Sequence, residues 1–192
     1  PVNKCPVGGN EVGKIIACIM GQEAVETVRR TAFVKCTGTC DKTKENYIYT
    51  GTEDCEMMPF VPGGGAKACA YGCLGFGSCV KACSFDAIHI ISGVAVVDKD
   101  ACRACGKCVE KCPRHLIELI PYTQSVMVGC NSQDKGKAVT SSCETGCIGC
   151  KKCEKTCPNG AITVENFCAH IDYEKCTNCG ACREVCPRNV IL

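Results

Sequence analysis

The sequence predicts an α+β protein: two tandem modules, small and loop-rich, behind an amino-terminal leader that is helical or irregular. Three observations predict it. Cysteine supplies 24 of the 192 residues. Most of these cysteines fall in runs spaced C-x2-C-x2-C-x3-C, and a unit of cysteine, turn and short apolar strand recurs four times along the chain.

The four copies start at Cys83, Cys112, Cys157 and Cys186. Proline follows in the last three (Pro113, Pro158, Pro187), and Ser84 follows in the first. Within each pair the copies are joined by a segment that reads as a hairpin. The chain turns at Gly93 or at Asn166, and the return strand ends at Asp98 or Asp172. Repetition of this kind divides the chain into modules at residues 69–121 and 143–192. Ahead of them, residues 11–34 have helical apolar spacing weakened at Gly13 and Gly21. Residues 36–68 form a cysteine-containing leader, polar over 41–54 and turning at Pro59, Pro62 and Gly63 to Gly65. Residues 122–142 form a connector with a strand expected over 125–128.

Composition limits the core. There is no Trp, Phe and Tyr number five each, and Gly numbers 20. Such a chain needs staples. Disulfides are one kind, but the sequence shows no signal peptide, and its cysteines are clustered rather than set at loop-stapling distances. Clustered thiols in a reducing compartment indicate metal ligation. No stretch approaches the ~20 apolar residues of a membrane helix.

The spacing selects the metal. Three cysteines at C-x2-C-x2-C wrap one face of a [4Fe-4S] cubane, and the fourth, followed by proline, ligates the other cluster of a pair. This is the pattern of a bacterial 2[4Fe-4S] ferredoxin. Zinc prefers separated C-x2-C pairs and fits poorly. In the second module, Cys147, Cys150, Cys153 and Cys186 are expected to hold one cluster, and Cys157, Cys176, Cys179 and Cys182 the other. In the first module Cys83, Cys102, Cys105 and Cys108 repeat the arrangement. The remaining set has Cys73, Cys79 and Cys112, but Phe76 stands where Cys150 stands in the second module.

Two accounts of the missing thiolate stay open. Cys69, four residues before Cys73, could complete the set. Alternatively, Cys36, Cys40, Cys55 and Cys69 form a fifth cluster, leaving the Phe76 site with three thiolates and prone to a [3Fe-4S] form. The second module has Cys143 at the place of Cys69 with no ligand missing, and Val34-Lys35-Cys36 parallels Val128-Gly129-Cys130, which favours the fifth cluster. The cofactors expected are thus four or five [4Fe-4S] clusters. The formal charge of +2 counts cysteines as neutral. At about −2 per cluster, four clusters would make the holoprotein acidic, at about −6, and exclude nucleic acid as a partner. Cys18 and Cys168, outside any motif, read as small buried thiols.

The segments KACAYGCLGFGSCVKACSFDAI, VGCNSQDKGKAV and GCIGCKKCEKTCPNGAI, with PVNKCPVGGNEVGK at the start, resemble the B subunit of the Rnf complex, a membrane-bound ferredoxin:NAD oxidoreductase. The likeness covers nearly the whole chain. It implies that residues 1–35 are the remnant of an amino-terminal [4Fe-4S] domain, with Cys5 its final ligand, followed by a helical linker. It also implies a membrane anchor ahead of Pro1 or on partner subunits, a place on the cytoplasmic side of the cell membrane, a soluble ferredoxin as electron donor and partner subunits in an ion-pumping complex. No catalytic residue and no small-molecule substrate are expected. Gly63 to Gly65 and Gly75-Phe76-Gly77 lack a dinucleotide fingerprint. His89, His115 and His170 lack the pairing a Rieske centre needs. Lys99, Arg103, Lys107, Lys111 and Arg114 read as a solvated face or, less readily, a dock for an acidic ferredoxin. Competing functions are a soluble polyferredoxin, the small subunit of a hydrogenase or dehydrogenase, and a module whose clusters only stabilise the fold.

Overall fold

The computed structural model describes residues 5–24 and 26–192. Pro1 to Lys4, part of the start that carries the resemblance, lie outside the described residues, as does Val25 within the expected helix. Helix α1 runs over Gly9–Met20 and is shorter than the helix expected over 11–34. It stops at Gly21, whose left-handed φ of 63° lets its N–H turn back onto the last carbonyls. Residues Arg30–Val34 instead form strand β1. The β-branched and aromatic residues there are strand formers, and the strand pairs antiparallel with β4, Ile117–Pro121, with Ala32 opposite Leu119.

The first module folds as helix α2 (Ser78–Ala82), hairpin β2–β3 (Ile88–Ile91, Val94–Val97), helix α3 (Lys107–Lys111) and β4. The second repeats it as α5 (Lys152–Thr156), hairpin β5–β6 (Ile162–Glu165, Cys168–Ile171) and α6 (Ala181–Glu184), ending in a bridge between Val128 and Ile191. That bridge replaces the full strand expected over 125–128. Both hairpins turn on two residues of positive φ, Ser92 and Gly93 in one and Asn166 and Phe167 in the other, the conformation that matches the twist of paired strands. Corresponding backbone bonds recur: Asp98 N–H to Ala87 and Asp172 N–H to Ala161, both 2.8 Å, and Lys35 N–H to Leu116 and Gly129 N–H to Val190, both 2.8 Å. The internal repeat therefore extends into the leader of each module.

Helix α4, Gly136–Ser142, was not expected in the connector. Its sequence is a poor helix former, and it is held by the burial of Val139. Two apolar clusters form the core, one per half, around Ile88, Val94, Leu116 and Ile117 and around Val126, Ile162, Val190 and Ile191. Burying such a side chain contributes about 1.5–3 kcal/mol. Cysteine sulfurs make up much of the rest of both clusters, so the thiols are part of the packing. The halves are laced together by Thr37 N–H to Gly129 (3.0 Å), Lys44 N–H to Ser142 (3.0 Å) and Glu144 N–H to Lys42 (2.8 Å).

Candidate metal centres

Short helices deliver the ligand runs. In each, a residue in the left-handed region (Gly77, Gly106, Lys151, Gly180) starts a single turn that carries the third cysteine inward, and the turn ends at or just before the cysteine that crosses to the neighbouring site. The loops back onto the hairpin turns so tightly that a Cβ at Gly75 would lie 2.9 Å from the Gly93 carbonyl oxygen, and one at Gly149 the same distance from that of Phe167. Glycine is required at both, and the shared contact fixes the register in which Phe76 corresponds to Cys150.

The thiols gather in groups of four. Cys83, Cys102, Cys105 and Cys108 line one hollow of about 320 Å³. Cys147, Cys150, Cys153 and Cys186 line another of about 350 Å³. Around Cys182, the neighbouring thiols are Cys157, Cys176 and Cys179. These three groups have the membership expected from spacing.

The Phe76 site differs from both accounts. Its hollow, about 400 Å³, is lined by Cys73, Cys79, Cys112 and Cys55. A 3-10 turn over Cys55–Phe60 carries Cys55 there, with Asp54 capping the turn at Glu56 N–H, 3.0 Å. Ser78 anchors it on α2, donating to Asp54 Oδ1 at 2.8 Å and accepting from Cys55 N–H at 3.0 Å. Phe76 packs on Tyr49, ring centroids 5.8 Å apart. The thiol that completes the four thus comes from the leader and neither from position 76 nor from Cys69.

Nor do Cys36, Cys40, Cys55 and Cys69 form one group. Cys36 and Cys69 line a hollow of about 400 Å³ together with Cys130 and Cys143 of the second leader. Cys40 is exposed and packs on the β2–β3 turn, its N–H donating to Ser92 at 2.9 Å and its sulfur filling the space a Gly93 side chain would need. The sequence showed that Cys130 and Cys143 parallel Cys36 and Cys69, but not that the two pairs meet. Cys18 is exposed on α1, contrary to expectation, whereas Cys168 is buried. Cys5 is exposed at a groove it lines with Arg29, Arg30, Cys102 and Arg103.

Burial raises the thiols of Cys36, Cys108 and Cys153 to about 11 and that of Cys79 to about 12. A bound metal must displace those protons. The buried Cys168 thiol lies against both Cys130 and Cys147. Hydrogen bonding to it lowers Cys130 to about 7 and Cys147 to about 6, while Cys168 itself is pushed strongly up. Backbone N–H groups already point at sulfur: Ala32 and Ala104 at Cys102, both 3.4 Å, Leu116 at Cys112, 3.4 Å, and Ala161 at Cys157, 3.3 Å. Four thiols around a hollow, with amides aimed at the sulfurs, fit a thiolate-ligated cubane. Among the described residues no three His, Cys, Asp or Glu stand close enough to grip a single metal ion.

The three histidines are exposed. Of the five basic residues grouped as one face, Lys99 donates to the Gln124 carbonyl (3.0 Å), Lys107 to Ser84 (3.0 Å), and Lys111 pairs with Glu56 (3.1 Å). Arg114 is half-buried and donates to the carbonyls of Cys69, Gly72 and Gly64 at 2.9, 2.7 and 2.6 Å. Most of that face is engaged within the protein.

Repeated ferredoxin-type halves with grouped thiols define an iron–sulfur electron-transfer protein. Comparison with known sequences agrees: residues 101–161 match the family described as 4Fe-4S dicluster domain, and residues 169–192 match 4Fe-4S binding domain. The chain is 47% identical, over its whole length and 72% of the relative's, to the B component of the ion-translocating oxidoreductase complex of Methanosarcina acetivorans. It is 47% identical over 99% of its length to the B component of the Na(+)-translocating ferredoxin:NAD(+) oxidoreductase complex of Acetobacterium woodii, and spans 57% of that protein. The proton-translocating counterpart of Clostridium ljungdahlii is 43% identical over the whole chain and 68% of its own length. The chain belongs to this family, the B subunits of the Rnf-type ion-translocating oxidoreductases, and it binds multiple [4Fe-4S] clusters. Among the described residues no helix is long and apolar enough to cross a membrane.

Proposed function

We propose that this chain relays low-potential electrons from a reduced soluble ferredoxin to partner subunits of a membrane-bound, ion-pumping ferredoxin:NAD oxidoreductase complex, on the cytoplasmic side of the membrane. The observation that carries the reading is the grouping of sixteen cysteines into four sets of four, three sets drawing one thiol from outside their own run and the Cys55 set drawing two, Cys55 and Cys112. The sets are Cys55, Cys73, Cys79 and Cys112; Cys83, Cys102, Cys105 and Cys108; Cys147, Cys150, Cys153 and Cys186; and Cys157, Cys176, Cys179 and Cys182. When bound, each cluster takes up and returns a single electron at a potential set by burial and by hydrogen bonds to its sulfurs.

The chain's own residues hold, shield and tune these centres. Ala32, Ala104, Leu116 and Ala161 supply amide donors, and Gln124, only 2% exposed, donates from its side chain to Cys176 at 3.2 Å. Crossed ligation ties the two sites of each module into one rigid body. Family membership supports the complex as the setting and a ferredoxin as the donor.

The test is anaerobic oxidation of a reduced 2[4Fe-4S] ferredoxin by the cluster-loaded chain, followed by visible absorbance. The reading expects transfer faster than to the same chain stripped of iron, and a loaded chain that co-purifies with partner subunits on co-expression. Loaded protein that leaves ferredoxin reduced would remove the proposed donor. A second reading, a free-standing polyferredoxin, has support in a 31% identity over half of this chain to the polyferredoxin protein MvhB of Methanothermobacter marburgensis. Failure to co-purify with any partner subunit, with ferredoxin oxidation intact, would favour it.

A further inference from the structure

We propose that Cys36, Cys69, Cys130 and Cys143 hold a further [4Fe-4S] cluster on the seam between the two halves, joining the modules into one conductor. The inference rests on the relay reading and adds to it the link between modules.

The four thiols come in equivalent pairs. Cys36 and Cys130 each accept a backbone N–H from the first cysteine of the adjoining ligand run, Cys73 and Cys147, both at 3.3 Å. Cys69 and Cys143 each offer a carbonyl to an arginine following a Cys-Pro pair, Arg114 at 2.9 Å and Arg188 at 2.6 Å. The seam thus brings together equivalent positions of the two halves. As at the Cys55 site, four thiols line one hollow. Gly38 and Gly72 both line it, and at each position the nearest sulfurs, Cys143 and Cys36 for Gly38 and Cys69 and Cys36 for Gly72, lie only 3.4–3.7 Å from where a Cβ would stand.

Charge supplies an independent argument. Lys67 lines the hollow and is 7% exposed, yet its ammonium reaches only the carbonyls of Gly93 (2.9 Å) and Gly38 (3.4 Å). Arg114 and Arg188 are half-buried, bonded to the carbonyls of the seam cysteines Cys69 and Cys143, and line the neighbouring Cys55 and Cys147 hollows. Among the described residues none of the three has a carboxylate partner, and Arg188 Nε has no hydrogen-bond partner. Burying cations without a counter-charge is costly. A thiolate-ligated cubane in the seam, at about −2, supplies that counter-charge beside Lys67.

The seam also touches both modules through its ligands. Cys73 rests on Cys36 and Cys147 on Cys130, so the seam cluster would lie next to one cluster of each module. No other four-thiol group among the described residues takes cysteines from both halves.

The experiment uses the full chain, reconstituted anaerobically with iron and sulfide, with metal analysis and low-temperature electron paramagnetic resonance after reduction. Wild type is expected to hold about 20 iron atoms, and Cys69→Ser/Cys143→Ser about 16, with one fewer spin per chain. Wild type at about 16 iron with four reducible clusters would overturn the seam cluster and leave the relay standing, as would one zinc per chain lost in the double variant. Iron near eight would defeat the relay reading itself. Should the double variant fail to fold, Lys67→Met serves: loss of the buried cation is expected to shift one cluster potential to more negative values and leave the rest in place. Unchanged potentials throughout would overturn the proposal.

Discussion

The backbone N–H of Cys147 donates to the sulfur of Cys130 at 3.3 Å. The first residue of a ligand run therefore rests on a thiol from a segment that precedes its module, and Cys73 rests on Cys36 in the same way. Ligand runs and leaders form one repeating unit, and the consequences for each site follow from it.

Exchange of a crossing cysteine should damage the distant site. Cys186→Ser is expected to impair the cluster at Cys147, Cys150 and Cys153, whose hollow Cys186 lines. The cluster at Cys176, Cys179 and Cys182, although nearer in sequence, should persist. Redox titration resolved by electron paramagnetic resonance checks this, and loss of the nearer cluster instead would refute the assignment.

Cys55→Ser should convert one cluster to a three-iron form on mild oxidation, because one iron corner at Cys73, Cys79 and Cys112 would lose its thiolate. Phe76→Cys in the wild-type background should change cluster content little, since the fourth place is already filled from the leader. A new stable four-iron signal in Phe76→Cys would contradict that geometry.

Gln124→Leu removes a side-chain donor to the Cys176 sulfur and keeps a buried side chain of similar volume. Hydrogen bonds to ligand sulfur favour the reduced, more negative cluster. The potential of the cluster at Cys157, Cys176, Cys179 and Cys182 should therefore become more negative. A protein-film voltammogram with all waves unmoved would exclude the contribution.

Arg114→Met leaves three carbonyls without their cationic donor. Hydrogen bonds to charged groups contribute roughly 1.5–3 kcal/mol each but are not additive, and a loss of about 2–4 kcal/mol is expected. The readout is the temperature at which iron is released. An unchanged temperature would show that water replaces the guanidinium without penalty.

The ligand runs were legible because a cubane imposes short local spacings, so Cys102 to Cys108 and Cys147 to Cys153 announce their geometry within a few residues. The correspondence of Phe76 with Cys150 was readable for the same reason. Cys55 was not: its place depends on the Asp54–Ser78 hydrogen bond, which joins residues far apart in sequence. The grouping of Cys36 and Cys69 with Cys130 and Cys143 depends on how the halves dock, through bonds such as Lys44 to Ser142, and periodicity carries no record of docking. The helix expected over 11–34 was overextended because apolar spacing outweighed Gly21, where the chain reverses. Helix α4 was missed because Val139, not its propensity, holds it.

The seam hollow has a bearing on how the chain is made. A nascent polypeptide emerges amino end first, so Cys36 and Cys69 leave the ribosome well before Cys130 and Cys143. The sites of the first module have all their thiols once Cys112 has emerged, and can be filled while synthesis continues. The seam has only half its thiols at that moment. Closing it requires the second leader to be released and laid against the first, so metal loading there would report that both halves are present and correctly docked.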